Sequence, residues 1–403
     1  MNDDRDHRYV GQRLDLFHFR EEAPGMVFWH PRGHALYRAL EEAVRAQCRA
    51  HGYEEVKTPQ IMRRSVWEKS GHWSHFFHGM FHVQDQAVDA AVKPVSCPGH
   101  IYVAMRRPPS YQELPLRYCE LGTVHRDEAS GTLQGLLRVR QFTQDDGHVV
   151  CMENQVEAEI ERFCRAVEPF YRAFGFLDGV SVALSSRPKD SAGDDSTWRV
   201  AEDALRRVLA RLEVPFVEQP GQGAFYGPKL EFSLRDRHGR SWQCGTIQVD
   251  LVMPKSFGLE YVGSDGKRRT PVLLHRALYG SLERFLGILL EHHGARLPAW
   301  LAPVQVVVLP VTKAGTKEGS PYGYSIAARL RASNVRIVML DEGSLARRVV
   351  EAHDLAAPWV LVVGAREEKA GTVTIRDGAL SREVGVEAIV AEVLAKAAAP
   401  VFA

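Results

Sequence analysis

Hydrophobic and polar positions follow two different patterns along the chain. Up to about residue 300, apolar residues alternate with polar ones in extended segments or recur every three to four residues, which is typical of helices. The stretch 33–53 predicts an amphipathic helix, because apolar residues recur there at intervals of four: Leu36, Leu40, Val44 and Cys48. The segment after it, "EEVKTPQIM", is predicted to be extended, since its proline fits a strand edge better than a helix.

The middle of the chain predicts paired strands and single helices. Residues 114–151 read as a strand, a polar loop and a second strand, and 153–174 as a helix. Another antiparallel pair is predicted within 223–253. A short strand, "PVLLH", then precedes a helix predicted over 277–294.

Beyond residue 300 the apolar segments become continuous. "VQVVVLP", "VRIVML" and "WVLVVG" alternate with the helical patterns "YGYSIAARLRAS" and "SLARRVVEAHDL", which indicates a small α/β domain with a mostly parallel sheet. We therefore expect a mainly antiparallel α+β domain over 1–300 and an α/β domain over 303–403.

Composition and charge are those of an ordinary globular protein. Of 403 residues, 45% are hydrophobic and 25% charged, and the net charge of +1 gives no bulk signature of nucleic-acid or membrane binding. The charged N-terminus is no signal peptide, and no segment approaches the length of a membrane span, so no membrane partner is expected. Six cysteines without a CxxC pair predict a reduced cytoplasmic protein.

Three residues that can bind a metal stand in separate segments. Cys97 lies in "AVKPVSCPGH", His148 in "QDDGHVVC" and His275 in "VLLHRALYG". Each by itself is more often a core or surface residue, and the spacing is no zinc-finger signature. Together, three protein ligands would leave a fourth position open, which is the form of a catalytic zinc site.

A second cluster follows the loop of the predicted strand pair. Arg126 and Glu128 leave the first strand, and Arg138, Arg140 and Phe142 lie on the next. Arginine clamps phosphate through planar, bidentate donors, and an aromatic face can stack on a base. A solvated hairpin with cross-strand ion pairs explains the same residues equally well.

His275 and Arg284 are nine residues apart, which would put them on opposite sides of a single helix. They can converge only if His275 lies on the strand and Arg284 on the helix that follows.

The order of these segments resembles motifs 1, 2 and 3 of the class II aminoacyl-tRNA synthetases. The detailed sequence resembles the threonyl-tRNA synthetases from Arg5 to about Gly364, through "RDHRYVGQRLDLFHF", "KPVSCPGH", "HRDEASGTLQGLLRVRQFTQDDGH", "GAFYGPKLEF" and "WQCGTIQVD". The resemblance implies an α+β class II catalytic domain, with an antiparallel sheet and helices, and then a small α/β anticodon-binding-like domain.

For the amino acid, the resemblance implies one zinc ion per subunit held by Cys97, His148 and His275. Threonine would give the zinc its amine and its hydroxyl, whereas valine lacks the hydroxyl and would be rejected. Asp146 would accept the hydroxyl proton. The other residues implied around threonine are Gln144, Tyr226 and Gln248.

For ATP, the resemblance implies that Arg126 binds the α-phosphate and stabilises charge that builds up on it. Glu128 and Gln243 would recognise adenine, and Phe142 and Arg284 would enclose the base between them.

The remaining implied roles concern the outer phosphates of ATP and the transfer of the amino acid to tRNA. Arg138 would hold the outer phosphates together with Mg²⁺, and Lys229 would assist activation. His72 would help to deprotonate the terminal ribose of tRNA(Thr), since neutral histidine is a suitable base near pH 7. His75 and His78 are expected to be surface histidines.

The resemblance fails in two places. The chain begins almost at the catalytic core, so we expect no editing domain and mischarging of serine, which differs from threonine by about 1 kcal/mol of methyl burial. The C-terminal domain lacks the family's Gly-x-Lys-Ile-Arg pattern, and its 12 Lys+Arg against 11 Asp+Glu give no basic excess over 303–403. We therefore expect this domain to read the anticodon weakly or to bind another partner.

Two other functions stay open from the sequence. One is a paralogue that activates threonine or a related β-hydroxy amino acid for an acceptor other than tRNA. The other is a non-catalytic tRNA-binding regulator, which the intact arginines and metal triad disfavour. The family resemblance also implies a homodimer formed through motif 1.

Overall fold

The computed structural model describes residues 5–85, 88–177, 180–236, 238–311, 321–377 and 380–401. The helices in these ranges are α1 His7–Arg13, α2 Pro31–Ala50, α3 Arg64–Lys69, α4 His72–His75, α5 Cys97–Ala104, α6 Val156–Ala173, α7 Asp195–Arg211, α8 Met253–Phe257, α9 Leu282–His293, α10 Pro321–Ala332, α11 Leu345–Asp354, α12 Ala365–Ala370 and α13 Val386–Ala397. The strands are β1 Phe17–His18, β2 Phe28–Trp29, β3 Glu54–Glu55, β4 Ile61–Arg63, β5 His82–Asp85, β6 Val88–Val92, β7 Leu116–His125, β8 Gln141–Cys151, β9 Ser181–Ser185, β10 Val217–Gln219, β11 Lys229–Arg235, β12 Ser241–Asp250, β13 Tyr261–Val262, β14 Arg268–Arg269, β15 Val272–Ala277, β16 Val306–Pro310, β17 Ile337–Met339, β18 Trp359–Val363, β19 Thr372–Asp377 and β20 Leu380–Gly385.

The largest sheet has eight strands in the order β10-β9-β11-β12-β15-β8-β7-β3. Neighbouring strands are antiparallel except β10–β9 and β3–β7 at the two edges, which are parallel. The strand pair predicted over 114–151 forms as β7 and β8, and the pair predicted within 223–253 forms as β11 and β12. The antiparallel sheet expected from the alternating pattern is confirmed.

The helix predicted over 277–294 is wrong at its start, because the helix begins only at Leu282. Ala277 still belongs to β15. Gly280 has a positive φ of 73°, which is incompatible with a right-handed helix at that residue. The carboxylate of Asp145 accepts hydrogen bonds from the backbone N–H groups of residues 278, 279 and 280. Because these N–H groups are bonded to the buried carboxylate, residues 278–280 form a turn and not a helix, although their apolar pattern is helical.

A second sheet of five strands has the order β17-β16-β18-β19-β20. Its first three strands are parallel, as the continuous apolar segments predict, and the last two are antiparallel. Apolar residues of α10 and α13 share one buried cluster with this sheet, and Ala352 of α11 belongs to another. The hairpin β19–β20 and α13 were not predicted.

The described residues group into two compact units. One takes in the described parts of Met1–His18, Phe28–Ala43 and Leu289–Val401, and the other those of Phe19–Val27 and Val44–Ile288. The division predicted at residues 300–303 stays a prediction. No helix in the described ranges is both long enough and apolar enough to cross a membrane.

Replacing Gly280 with alanine should destabilise the protein strongly, for two reasons. A side chain at φ 73° is strained, and a Cβ there would lie 2.5 Å from the backbone oxygen of Cys244. We expect Gly280→Ala to lower the free energy of unfolding by about 3 kcal/mol, as measured by urea denaturation.

Gly258→Ala is the matched control, since Gly258 also has a positive φ, 74°, but open space around its Cα. It should cost only the backbone term, about 1 kcal/mol. Equal losses in the two variants would show that the contact with Cys244 has no energetic weight.

Candidate active site

Four side chains of β8 lie on one face of the large sheet. Phe142, Gln144, Asp146 and His148 alternate along the strand, and alternate residues of a strand point to the same side. At about 3.4 Å per residue they span about 20 Å. This line of side chains connects the two parts of the site described below.

The pairing of strands adds a row of side chains that crosses β8. Lys229 lies opposite Gln248, Gln248 opposite His275, and His275 opposite His148. Residues directly opposite each other on adjacent strands share a face. Four residues that are up to 127 positions apart in the sequence therefore stand side by side across β11, β12, β15 and β8.

Cys97, His148 and His275 come together where this row meets the start of α5. Their ligand atoms lie within 4.8 Å of one another, and all three residues are buried. His275 Nδ1 is 3.0 Å from His148 Nε2 and 3.2 Å from Cys97 Sγ. Within the described ranges this is the only group of side chains found with the geometry to hold a metal ion.

Each histidine of the triad has a partner on its other ring nitrogen. His275 Nε2 lies 2.9 Å from Asp250 Oδ2, and His148 Nδ1 lies 2.8 Å from His100 Nδ1. Such partners fix the tautomer and orientation of metal-binding histidines. Asp250 and His100 are functional candidates that the sequence analysis missed, although Asp250 is two residues from Gln248 on β12 and His100 is one helical turn from Cys97.

Burial controls the protonation of the triad. Desolvation lowers the pKa of His148 well below its usual value, with His100 and His275 adding to the effect, so the imidazole is neutral and can act as a ligand. Desolvation also raises the pKa of the Cys97 thiol. A bound cation would reverse that, because a coordinating thiol is deprotonated.

Beside the triad lie the other residues predicted to contact the amino acid. The Tyr226 hydroxyl donates to Gln248 Oε1 at 2.7 Å, and its ring stacks on His275 with centroids 4.8 Å apart. Asp146 Oδ2 accepts a hydrogen bond from the Ser96 backbone N–H at 3.0 Å. The buried Gln144 Oε1 has no hydrogen-bond partner in the described part of the chain, so it is available to a ligand.

A cavity of about 120 Å³ opens at the Phe142 end of the β8 line. Seven of the residues predicted to bind ATP or the amino acid line it: Arg126, Glu128, Arg138, Phe142, Gln144, Gln243 and Arg284. The Arg126 guanidinium lies 5.1 Å from the centre of the Phe142 ring. Desolvation and the charge of Arg284 lower the pKa of Arg126, and the opposing effects of Glu128 and Asp146 are smaller.

Arg284 reaches the cavity from α9, whereas His275 is on β15, as inferred from their spacing. Its Nε donates to the Leu137 carbonyl at 2.9 Å, and its Nη1 donates to the Gln243 carbonyl at 3.2 Å. An irregularity in the β11–β12 register at Cys244 puts one extra residue in β12. Because of this bulge, Gln243 lines the same cavity although it is an odd number of residues from Gln248.

Two predicted cations are paired with carboxylates. Arg138 Nε donates to Glu128 Oε2 at 3.0 Å, and Lys229 Nζ lies 2.6 Å from Glu231 Oε1. Arg138 is about half exposed, so a phosphate could take the place of Glu128 at low cost.

His72 lies at the start of α4 and is buried. Its Nδ1 is 2.9 Å from the Ser70 hydroxyl, and its ring meets the edge of Phe225, the residue before Tyr226, at 5.4 Å. Desolvation lowers its pKa to about 3, with smaller contributions from His275 and Arg126, so His72 is neutral at pH 7. His75 and His78 are exposed, as expected.

Comparisons with known proteins match both halves of the chain. Residues 81–293 match the family described as "tRNA synthetase class II core domain (G, H, P, S and T)", and 305–396 match "Anticodon binding domain". A crystal structure titled as the RNA binding domain of threonyl-tRNA synthetase from Cryptosporidium parvum is 33% identical, with a TM-score of 0.91 over 98% of this chain and 99% of that one. A putative threonyl-tRNA synthetase from Aeropyrum pernix is 29% identical, with a TM-score of 0.82 over 98% of each chain.

Relatives of higher identity are named threonine–tRNA ligase. The protein of Burkholderia multivorans is 48% identical over 92% of this chain, and that of Halorhodospira halophila is 48% identical over 96%. The chain spans 58% and 60% of the length of these two relatives. It belongs to the class II tRNA synthetases and, within that class, to the threonyl-tRNA synthetase family.

A buried ion pair is connected to the triad through His100, and breaking the pair should lower the free energy of unfolding. The Lys93 ammonium donates to Glu120 Oε1 at 2.9 Å, and Glu120 Oε2 lies 3.2 Å from His100 Nε2. Desolvation would raise the pKa of Glu120, but hydrogen bonds from His100, Thr58 and Lys93 outweigh it and lower the pKa to about 2. We expect Glu120→Gln to lower the free energy of unfolding at pH 7 by about 3 to 5 kcal/mol, because Lys93 is left buried without an anion.

The contribution of Glu120 to stability should depend on pH in a defined direction. Since the folded-state pKa lies below the unfolded value, Glu120 stabilises the protein fully above pH 4.5 and loses this effect as the pH falls towards 2. Urea denaturation should show that the free energy of unfolding changes less with pH across that range in Glu120→Gln than in the parent. Glu68→Gln, which breaks an exposed pair with Arg64, is the control and should cost less than about 1 kcal/mol.

Proposed function

We propose that the protein activates L-threonine with ATP and transfers it to the 3′ end of tRNA(Thr). The observation that supports this best is the line of side chains along β8. It joins a cavity with cations and an aromatic ring, suited to a nucleotide, to a site with three metal ligands, suited to an amino acid. Membership of the threonyl-tRNA synthetase family points to the same reaction.

Cys97, His148 and His275 fit a zinc ion, because one thiolate and two neutral imidazoles are ligands that zinc prefers and each imidazole is already oriented. The bound ion would act as a Lewis acid with room for two further ligands, the amine and the hydroxyl of threonine. Asp146 lies beside the triad, with Oδ1 3.9 Å from His148 Nε2, and would accept the hydroxyl proton. Tyr226 and Gln248 would close the pocket around the methyl group.

This arrangement explains the discrimination between isosteres. Valine has nearly the shape of threonine but would leave the second oxygen of Asp146 without the hydroxyl donor, and a site that must bond a hydroxyl rejects its absence strongly. Serine keeps both polar groups, so its activation stays a prediction.

In the nucleotide cavity, Arg126 would bind the α-phosphate next to the attacking carboxylate. The adenine ring would lie between Phe142 and the guanidinium of Arg284, with Glu128 and Gln243 at its edge. Arg138 would exchange Glu128 for the outer phosphates, which Mg²⁺ would also bind, and Lys229 would assist the activation step. The chain's contribution is positioning and charge neutralisation, which suffice for reactions at phosphorus.

In the transfer step, His72 would help to deprotonate the terminal ribose, since it is neutral at pH 7 and is fixed by Ser70. The α/β domain proposed at 303–403 would meet the anticodon arm, in line with the match over 305–396. Homodimer formation and a cytoplasmic location, where tRNA charging takes place, belong to the same proposal.

Exchange of pyrophosphate into ATP tests the activation step. The protein should support exchange with threonine at least about a hundredfold better than with valine. Cys97→Ser should lose bound zinc, measured by elemental analysis, and should lose the preference for threonine over valine. Cys164→Ser, at a cysteine on α6 outside the site, is the control. A zinc-free protein that still prefers threonine would contradict the proposal.

His72→Ala tests the transfer step separately. We expect exchange of pyrophosphate with threonine to stay within about twofold of the parent, while transfer to tRNA(Thr) in single-turnover charging slows about a hundredfold or more. His75→Ala is the control, because His75 is an exposed neighbour that pairs with Asp190. Exchange without any charging of tRNA by the parent would instead favour an acceptor other than tRNA.

A further inference from the structure

The face of the large sheet opposite the candidate active site has its own row of side chains. Cys119 lies opposite Gly147, and Gly147 opposite Arg276, across β7, β8 and β15. These residues adjoin Glu120, His148 and His275 in sequence and therefore point the other way. A Cβ on Gly147 would meet the Arg276 guanidinium at 2.5 Å, so the glycine makes room for the arginine to lie across the sheet.

Arg276 is a buried cation, only 3% exposed, and it needs a negative partner. The carboxylate of Asp145 is 3.7 Å away and is occupied by three backbone N–H groups. The ring of Tyr53 faces the guanidinium at 4.2 Å. The direct acceptor is Cys48 on α2, whose Sγ receives a hydrogen bond from Arg276 Nη2 at 2.8 Å.

Cys48 and Cys119 line one small cavity, so their side chains are neighbours on this face of the sheet. The hydrogen bond from Cys119 and the charge of Arg276 lower the pKa of Cys48, against the effect of burial and of Glu55. The same contact raises the pKa of Cys119. Glu55 itself is paired with Arg45, which weakens its influence. A cysteine that accepts a hydrogen bond from a fixed cation, with a second cysteine in the same cavity, has the arrangement of a reactive cysteine with a resolving partner.

We propose that Cys48 and Cys119 are a redox-active pair, oxidised by hydroperoxides to a disulfide that joins the end of α2 to β7. Both cysteines line a small cavity together with Arg45 and Glu55. The proposal concerns the side of the sheet away from the candidate active site and does not rest on the proposed function.

The chemistry balances with a hydroperoxide as the oxidant. The Cys48 thiolate attacks the O–O bond and becomes a sulfenic acid, and the leaving alkoxide or hydroxide takes up a proton to give an alcohol or water. The Cys119 sulfur then attacks the Cys48 sulfur, and the hydroxyl group leaves as water with the thiol proton. Two electrons pass from the two sulfurs to the peroxide, and an external dithiol reverses the change.

The other cysteines lack these features. Cys97 belongs to the candidate metal site. Burial raises the pKa of Cys164 to about 12 and that of Cys244 to about 12, and it also raises that of Cys151. Cys164 is the more exposed residue, whereas Cys48 and Cys119 are 5% and 7% exposed. Exposure alone therefore predicts that Cys164 reacts first, and the proposal predicts that Cys48 does.

Peptide mapping by mass spectrometry tests the proposal on the full chain with its metal bound. After a short treatment with hydrogen peroxide and alkylation of the remaining thiols, we expect a Cys48–Cys119 linked peptide, formed at least about tenfold faster than any oxidation of Cys164. Dithiothreitol should restore both thiols. Earlier oxidation of Cys164, or oxidation of Cys48 without the link, would overturn the proposal.

Two variants identify the order of the steps. In Cys119→Ser, the sulfenic acid on Cys48 should persist and be trapped by dimedone, whereas in Cys48→Ser, Cys119 should stay reduced. Cys164→Ser is the matched control and should form the link at the parent's rate. Dimedone labelling of Cys119 in Cys48→Ser would contradict the assignment of Cys48 as the attacking thiolate, and the mapping of the parent holds if a variant fails to fold.

Discussion

The register between β8 and β15, which puts His275 directly opposite His148, is the constraint on which the site depends. The period of a strand is two, so a shift of one residue would turn His275 to the other face and bring Arg276 in its place. The same shift would separate Gln248 from the triad, since it is held in register with His275. His148 and His275, which are 127 positions apart in the sequence, become neighbours through this pairing.

Because consecutive residues of a strand point to opposite faces, each side chain of the candidate site is next in sequence to a side chain on the other face of the sheet. Asp146 faces the triad, whereas Asp145 faces Arg276 and accepts the N–H groups of the turn before α9. That turn fixes where α9 begins and so brings Arg284 to the cavity at the Phe142 end of β8. Desolvation raises the pKa of Asp145 to about 7, which shows how strongly this supporting carboxylate is buried.

Sequence patterns predicted the elements but not the contacts between them. Alternation gave β7, β8, β11 and β12, and the nine-residue spacing placed His275 on a strand and Arg284 on a helix. Asp250 and His100 were missed, because their roles follow from register and from a helical turn rather than from a motif. The position of Gln243 in the cavity depends on a bulge. The late start of the helix, after 277–280, depends on hydrogen bonds that backbone N–H groups donate to Asp145. Neither feature leaves a periodic signal in the sequence.

Each face of the large sheet contains a buried cation that needs a partner in a fixed position. Lys93 on the face of the candidate active site and Arg276 on the opposite face are each nearly inaccessible. The Lys93 ammonium donates to the Glu120 carboxylate, and the Arg276 guanidinium donates to the Cys48 sulfur. A buried ion gains stability only when its partner is held in place, so these pairs favour one arrangement of the strands over shifted ones. The partner on the active-site face is a carboxylate, which keeps its charge, whereas the partner on the other face is a sulfur, whose charge depends on its oxidation state. The proposed disulfide would therefore add to this face a reversible covalent change, whereas the pair of Lys93 and Glu120 can be broken only by protonation or mutation.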